Sequence, residues 1–174
     1  MSRTGKSFEI GGLVIPVTAA FTLRQRIESV GGRNPIRFAN GASLRQIAWQ
    51  KLRVTLSSDG WVPLGIDSLD FAATMTLKCG LPAALRSASA VITLPAARRT
   101  DAGYTPYARA HLPTGDVQTD VALAGNVATC TAVAGAISYT VSYYPELTVW
   151  ADPPAQDFDG AGAATSWELV LDQA

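Results

Sequence analysis

The residues that could do chemistry in this chain are few and widely spaced. His111 is the single histidine, in a stretch closed by Pro113. A general acid or base needs a group that orients it and a nucleophile or substrate that it serves. No cysteine lies near His111, and the chain holds no Gly-x-Ser-x-Gly elbow, no His-Glu-x-x-His, no phosphate loop and no dinucleotide fingerprint. His111 reads as a solvated loop residue, and the chain as something other than an enzyme.

One stretch resembles a metal loop in its spacing. Asp157, Asp159 and Glu168 stand at relative positions 1, 3 and 12, with Gly162 at position 6, an echo of a calcium-binding loop. Position 5 is Ala161, no helical pattern flanks the stretch, and Glu168 falls in a run that suits a strand. The acidic stretch therefore reads first as a loop that covers an interface or faces solvent, with these three carboxylates as the one metal candidate. No other feature asks for a cofactor.

Arg98, Arg99, Tyr104, Tyr107 and Arg109 cluster in a Pro-rich stretch and could stack on nucleic-acid bases or sugar rings. Arg and Tyr are also what protein interfaces favour, and interface is the preferred reading. The tryptophans Trp49, Trp61, Trp150 and Trp167 lie in or beside strand-like runs. Core or interface packing outweighs a carbohydrate platform for them, and Trp49 and Trp61 join the interface set. The carbohydrate reading stays open because exposed aromatics on a β-sandwich suit sugars.

Composition points the same way. At 174 residues the chain fits one domain with room for an elaborated insertion. Charged residues make up 16%, against about 25% in an ordinary domain, which suits a protomer whose surface is covered in use. The net charge of zero argues against general or sequence-specific nucleic-acid binding. Residues 1 to 60 carry nine basic and three acidic side chains, a balance of +6, and the remainder carries five basic and eleven acidic, a balance of −6. Opposite-sign halves suit head-to-tail contact between copies, or neutralise each other within one fold.

Cys79 and Cys130 sit in apolar runs and read as buried thiols. With no signal-like N-terminus and no apolar run of 18 residues, the chain is expected to be made in a reducing cytoplasm and to have no membrane span.

The elements that must carry these residues are strands. Gly11-Gly12 between two short apolar runs predicts a hairpin within 7–17. Alternation predicts a strand over 19–28, a turn over 30–35 at Gly31-Gly32 and Asn34-Pro35, and a type I′ hairpin turn at Asn40-Gly41. Strands follow over 43–56, with a turn at Ser58-Asp59-Gly60, a helical turn at 66–69 and a strand over 71–79. Later strands fall at 87–94, 117–123, 127–133, 137–143, 147–150 and 166–171, with loops at 95–113 and 152–165. About ten short strands and no long amphipathic helix predict an antiparallel β-sandwich or barrel.

A family resemblance carries this further. Phe8-Glu-Ile-Gly-Gly-Leu-Val-Ile-Pro-Val17, then Arg37-x-Ala39-Asn40-Gly41, Trp49-x-Lys51, Gly60-Trp61-x-Pro63 with Leu69-Asp70, and Trp167-Glu168-Leu169, resemble the small tail-tip and distal tail (baseplate) proteins of long-tailed bacteriophages. The resemblance implies an all-β, tail-tube-like antiparallel sandwich, with core strands from 7–80 and 145–172 and an inserted β-rich region over 81–145. It implies a self-assembled ring, six-fold in that family, that joins the tail tube protein to the baseplate hub and fibre proteins at the virion tail tip. Larger relatives add a C-terminal carbohydrate-binding domain, whereas this sequence stops where the core strands end, so receptor binding through such a domain is not expected. No catalytic residue is implied.

Overall fold

The computed structural model describes residues 7–174, and Arg3 and Lys6 of the basic N-terminal set lie outside them. The fold is all-β and sandwich-like, built from antiparallel sheets, with no α-helix among the described residues. The strands are β1 (Glu9–Ile10), β2 (Leu13–Val14), β3 (Arg24–Arg37), β4 (Ser43–Gly60), β5 (Met75–Lys78), β6 (Ala83–Ser87), β7 (Val91–Thr93) and β8 (Tyr107–Leu112). They continue as β9 (Gly115–Thr119), β10 (Val121–Ala124), β11 (Val127–Cys130), β12 (Ser138–Tyr143), β13 (Glu146–Ala151), β14 (Ala155–Asp159) and β15 (Ala164–Gln173). The chain divides into two compact units, residues 1–9 with 77–147, and residues 10–76 with 148–174.

In the unit of residues 77–147, two small sheets share a core. One runs β10-β11-β7 and the other β6-β12-β8-β9. Ile92 and Ala128 from the first meet Ala108, Ala110, Tyr139 and Val141 from the second in one buried cluster with Leu94 and Cys130. The small Ala108 and Ala110, both fully buried, let the facing strands approach while Tyr139 and Ile92 fill the space. Cys79 and Cys130 are buried thiols, and burial pushes the Cys130 thiol pKa up.

The other unit is organised on the sheet with strand order β2-β1-β5-β13-β15-β4-β3, to which β14 adds by pairing with β15. Along β4 the even residues Val54, Leu56, Ser58 and Gly60 are buried and the odd ones face outward. Leu169 and Leu171 of β15 oppose Leu56 and Val54 in register, so period-two patterning in both strands builds a single apolar face. Trp167 closes that face: 3% exposed, it donates Nε1–H to the Ala19 carbonyl at 2.7 Å. A Cβ on Gly60 would lie 2.5 Å from the Ala19 backbone, so a side chain there has no room.

Several expected turns are strand instead. Gly31, Gly32, Asn34 and Pro35 lie inside β3, paired with β4 across a bulge at Gly32/Arg33. The glycines are there because β4 crowds them: a Cβ on Gly31 would lie 2.3 Å from the Trp49 carbonyl oxygen, and one on Gly32 2.8 Å from Trp49 Nε1. Pro35 is tolerated because β3 is the edge of its sheet, where a missing N–H breaks no ladder on the open side. Ser58-Asp59-Gly60 is likewise the end of β4, with its turn displaced to Trp61.

The turn at Asn40-Gly41 exists, but it is not type I′. Only Gly41 has positive φ, Gly41 N–H donates to the Phe38 carbonyl, and Phe38 and Ala42 close the ladder, which is a type I turn followed by a left-handed glycine. The second half of the expected 95–113 loop is β8, and the expected 152–165 loop contains β14.

Candidate functional site

The polar candidates separate once they are placed. Arg99, expected at an interface, is 2% exposed and internal to its unit. Its guanidinium lies 3.2 Å over the Tyr104 ring, pairs bidentately with Asp101 at 3.0 and 2.6 Å, and donates to the Ser7 and Cys79 carbonyls. Tyr104 is buried too. Both residues are interior rather than surface groups, and Arg99 gives the Ser7 and Cys79 carbonyls a buried donor. Arg98 is half-buried and ties down the β10–β11 turn through the Gly125 carbonyl and Asn126 Oδ1, both at 2.7 Å.

Tyr107, Arg109 and His111 alternate along β8 with the buried Ala108 and Ala110, so all three share the outer face of the four-stranded sheet. His111 is not a lone loop residue. Its Nδ1 lies 2.6 Å from Asp116 Oδ1 and its Nε2 lies 2.6 Å from Thr140 Oγ1. With the proton on Nδ1, the imidazole donates to the carboxylate and accepts from the threonine hydroxyl, the order of groups that activates a nucleophile. Thr140 lies mid-strand, in register with Arg109 and Arg86, and it stands on an open sheet face. Catalysis also needs a concave site and oxyanion donors. The array links Asp116 of β9 to Thr140 of β12 through His111 of β8.

The carboxylates of the calcium-like stretch are unwound by the β14–β15 hairpin. Asp157 stands opposite Ser166, Asp159 opposite Ala164, and Glu168 opposite Ala155. Asp159 accepts from the Ala161 N–H at 3.0 Å and so closes its own turn. Among the described residues no group of three His, Cys, Asp or Glu side chains converges as a metal site.

Two surface features stand out, both in the unit of residues 10–76 and 148–174. The first is the distal part of the β3–β4 hairpin. Residues 35–50 are exposed on both faces, an arm of roughly 20 Å at the usual strand rise. Ile36, Phe38, Leu44, Ile47 and Trp49 are all exposed there, with Trp49 at 54%. Ile36 pairs with Leu44 and Gly32 with Trp49, so strand alternation puts Ile36, Leu44 and Trp49 on one face, the face of Lys51, Thr55, Ser57 and Asp59. From Ser29 to Ser58 the chain has five basic residues, Arg33, Arg37, Arg45, Lys51 and Arg53, and no acidic one.

The second feature is a groove of about 450 Å³ on the outward face at the base of the same hairpin. Arg24, Ser57, Glu168 and Ala155 form one row across four strands, and Asp59, Ser166 and Asp157 the next. Three carboxylates against one guanidinium line it, with Thr22 Oγ1–H donating to Asp59 Oδ2 at 2.8 Å. Beyond Arg109 the chain has eight acidic residues and no Lys or Arg. Two of those acids, Asp157 and Glu168, line the groove together with Asp59.

Trp61 is 72% exposed and packs edge-on against exposed Phe21, ring centroids 4.7 Å apart. Trp150 is half-exposed on β13, and only Trp167 is core. Trp49 and Trp61, taken from the sequence as interface candidates, are both exposed, but the arm itself was missed, and its signal was the acid-free run around Asn40-Gly41.

The fold and these surfaces define an all-β protein with an exposed apolar, basic arm. No protein-family model matches the chain, and neither a curated protein nor a solved structure matches it. No helix among the described residues is long and apolar enough to cross a membrane.

Proposed function

We propose that this chain is a structural protein of a long-tailed bacteriophage tail tip, a distal tail-like protomer with a tail-tube-like sandwich that assembles into a ring, with six copies. In this reading it joins the tail tube to the baseplate hub and fibre proteins, and is built in the host cytoplasm into the virion. It works through surfaces and performs no catalysis.

The observation that carries the reading is the arm. Five large apolar side chains stand exposed on a two-stranded ribbon whose two faces are both bare. Contiguous exposed apolar surface of this kind marks an interaction site, and an isolated hairpin gains its stability from what it packs against. The motifs from Phe8 to Asp70 and at Trp167-Glu168-Leu169, which resemble those of tail-tip proteins, support the same reading. Negative-stain microscopy of the purified chain tests it: rings are expected, together with recovery of the chain in tail preparations. A monomer at all concentrations that is absent from tails overturns it.

One observation favours a second reading. The Phe21–Trp61 pair is an exposed aromatic platform of the kind that sugar rings stack on, which fits a carbohydrate- or receptor-binding tail component. Binding on a glycan array, abolished by Trp61→Ala, would establish it in place of the first.

A further inference from the structure

We infer that the arm of one copy docks into the acidic groove of a second copy, so that the assembly contact is head-to-tail and electrostatically registered. This deepens the ring reading and rests on its self-assembly. Ile36, Leu44, Trp49 and Lys51 stand on one face of the arm and Arg37, Arg45 and Ile47 on the other, all of them exposed, so an inserted arm offers apolar and cationic contacts on both sides. The groove supplies Asp59, Asp157 and Glu168 on the outward face of β4, β14 and β15.

The occupant is a second copy because the two surfaces match in sign. The arm belongs to a run with five cations and no acid, whereas the groove sets the three carboxylates of Asp59, Asp157 and Glu168 against the single cation Arg24. Within one chain the arm cannot reach this groove. Both lie along the same strand β4, with Trp49 and Asp59 ten residues apart, roughly 30 Å in an extended chain. Two different patches meeting between identical copies give a heterologous contact, which closes a ring when the rotation allows. Opposite potentials on the two surfaces favour the correct register and disfavour arm against arm.

Charge reversal of the full chain, read by sedimentation velocity, tests the contact. Wild type is expected to associate, with the dissociation constant weakening about tenfold or more as salt screens the pairs. The arm variant Arg37→Glu/Arg45→Glu and the groove variant Asp157→Lys/Glu168→Lys, all at exposed positions, are each expected to stay monomeric. Their equimolar mixture is expected to associate, since a normal arm then meets a normal groove and a reversed arm meets a reversed groove. That recovery also shows both variants to be folded. Wild-type rings indifferent to both variants, or a mixture that stays apart, overturn this contact while leaving the ring reading intact. A wild type that never associates removes both.

Discussion

The guanidinium carbon of Arg99 sits 3.2 Å from the centroid of the Tyr104 ring, and Tyr104 in turn packs edge-on against Tyr144 with centroids 5.1 Å apart. This stack anchors the long 95–106 segment of its unit. The Ser7 N–H donates to Tyr104 Oη at 2.7 Å, and Arg99 donates to the Ser7 carbonyl at 2.9 Å. Arg99→Ala would leave the Ser7 and Cys79 carbonyls without this donor and remove the cation from over the ring. It is expected to cost about 3 kcal/mol, the scale for removing one partner of a buried pair. Arg99→Lys is expected to recover only part, because a point charge cannot make the bidentate pair. Urea unfolding of the three proteins checks it.

The pH dependence follows from two carboxylates. The hydrogen bond from Arg99 holds the Asp101 carboxyl below the usual 3.8, and the hydrogen bond from Arg53 does the same for Asp172. A carboxylate whose folded pKa is depressed contributes stability above its unfolded pKa and loses it as the pH falls through the folded value. Stability is therefore expected to hold at neutral pH and to drop below about pH 4. Both carboxylates are partly exposed, so solvent screening keeps the slope shallow. Asp101→Asn and Asp172→Asn should each flatten the acid limb in denaturant titrations taken from pH 7 to pH 3.

Gly60 and Trp167 test the closure of the apolar face. Gly60→Ala pushes a methyl group into the Ala19 backbone, 2.5 Å away, and is expected to cost about 1–3 kcal/mol as overpacking. Trp167→Phe keeps most of the ring and loses the 2.7 Å bond to the Ala19 carbonyl. A buried acceptor left unpaired costs about 1–3 kcal/mol. Thermal unfolding should show the loss for each single variant and a less than additive loss for the double, since both act on one segment.

Trp49 should separate folding from assembly. It is half-exposed on the arm, so Trp49→Ala is expected to change monomer stability by about 0.5 kcal/mol or less. The same variant should weaken self-association at least tenfold. Chemical denaturation and sedimentation of one preparation measure both.

The Asp116–His111–Thr140 array is expected to be structural. His111→Asn should lower stability by about 1 kcal/mol, the value of a net hydrogen bond, and wild type should give no burst with an activated ester. A burst lost in Thr140→Val would assign the array a nucleophilic role instead.

The strand content could be read from alternation: Val54 with Leu56, Leu169 with Leu171, and Ile137 to Tyr143 each show period two, and each lies in or beside a strand. Reading failed where a residue type reports on a neighbour far along the chain. Gly31, Gly32 and Pro35 look like a turn, yet they are glycines under the Trp49 indole and carbonyl and a proline on an open edge. Ala108 and Ala110 look like loop filler, yet they are small because two sheets meet over them.

The sequence by itself determined the all-β class and the segregation of charge along the chain, because alternation and sign are properties of the chain. Only the tertiary structure decided that Arg99 is interior, that Trp49 and Trp61 are exposed, that His111 lies between Asp116 and Thr140, and that the acid-free run is an arm with Asp59, Asp157 and Glu168 in a groove at its base. Those outcomes depend on strand register and bulges, and register is set by pairing between segments as distant as Arg53 and Asp172.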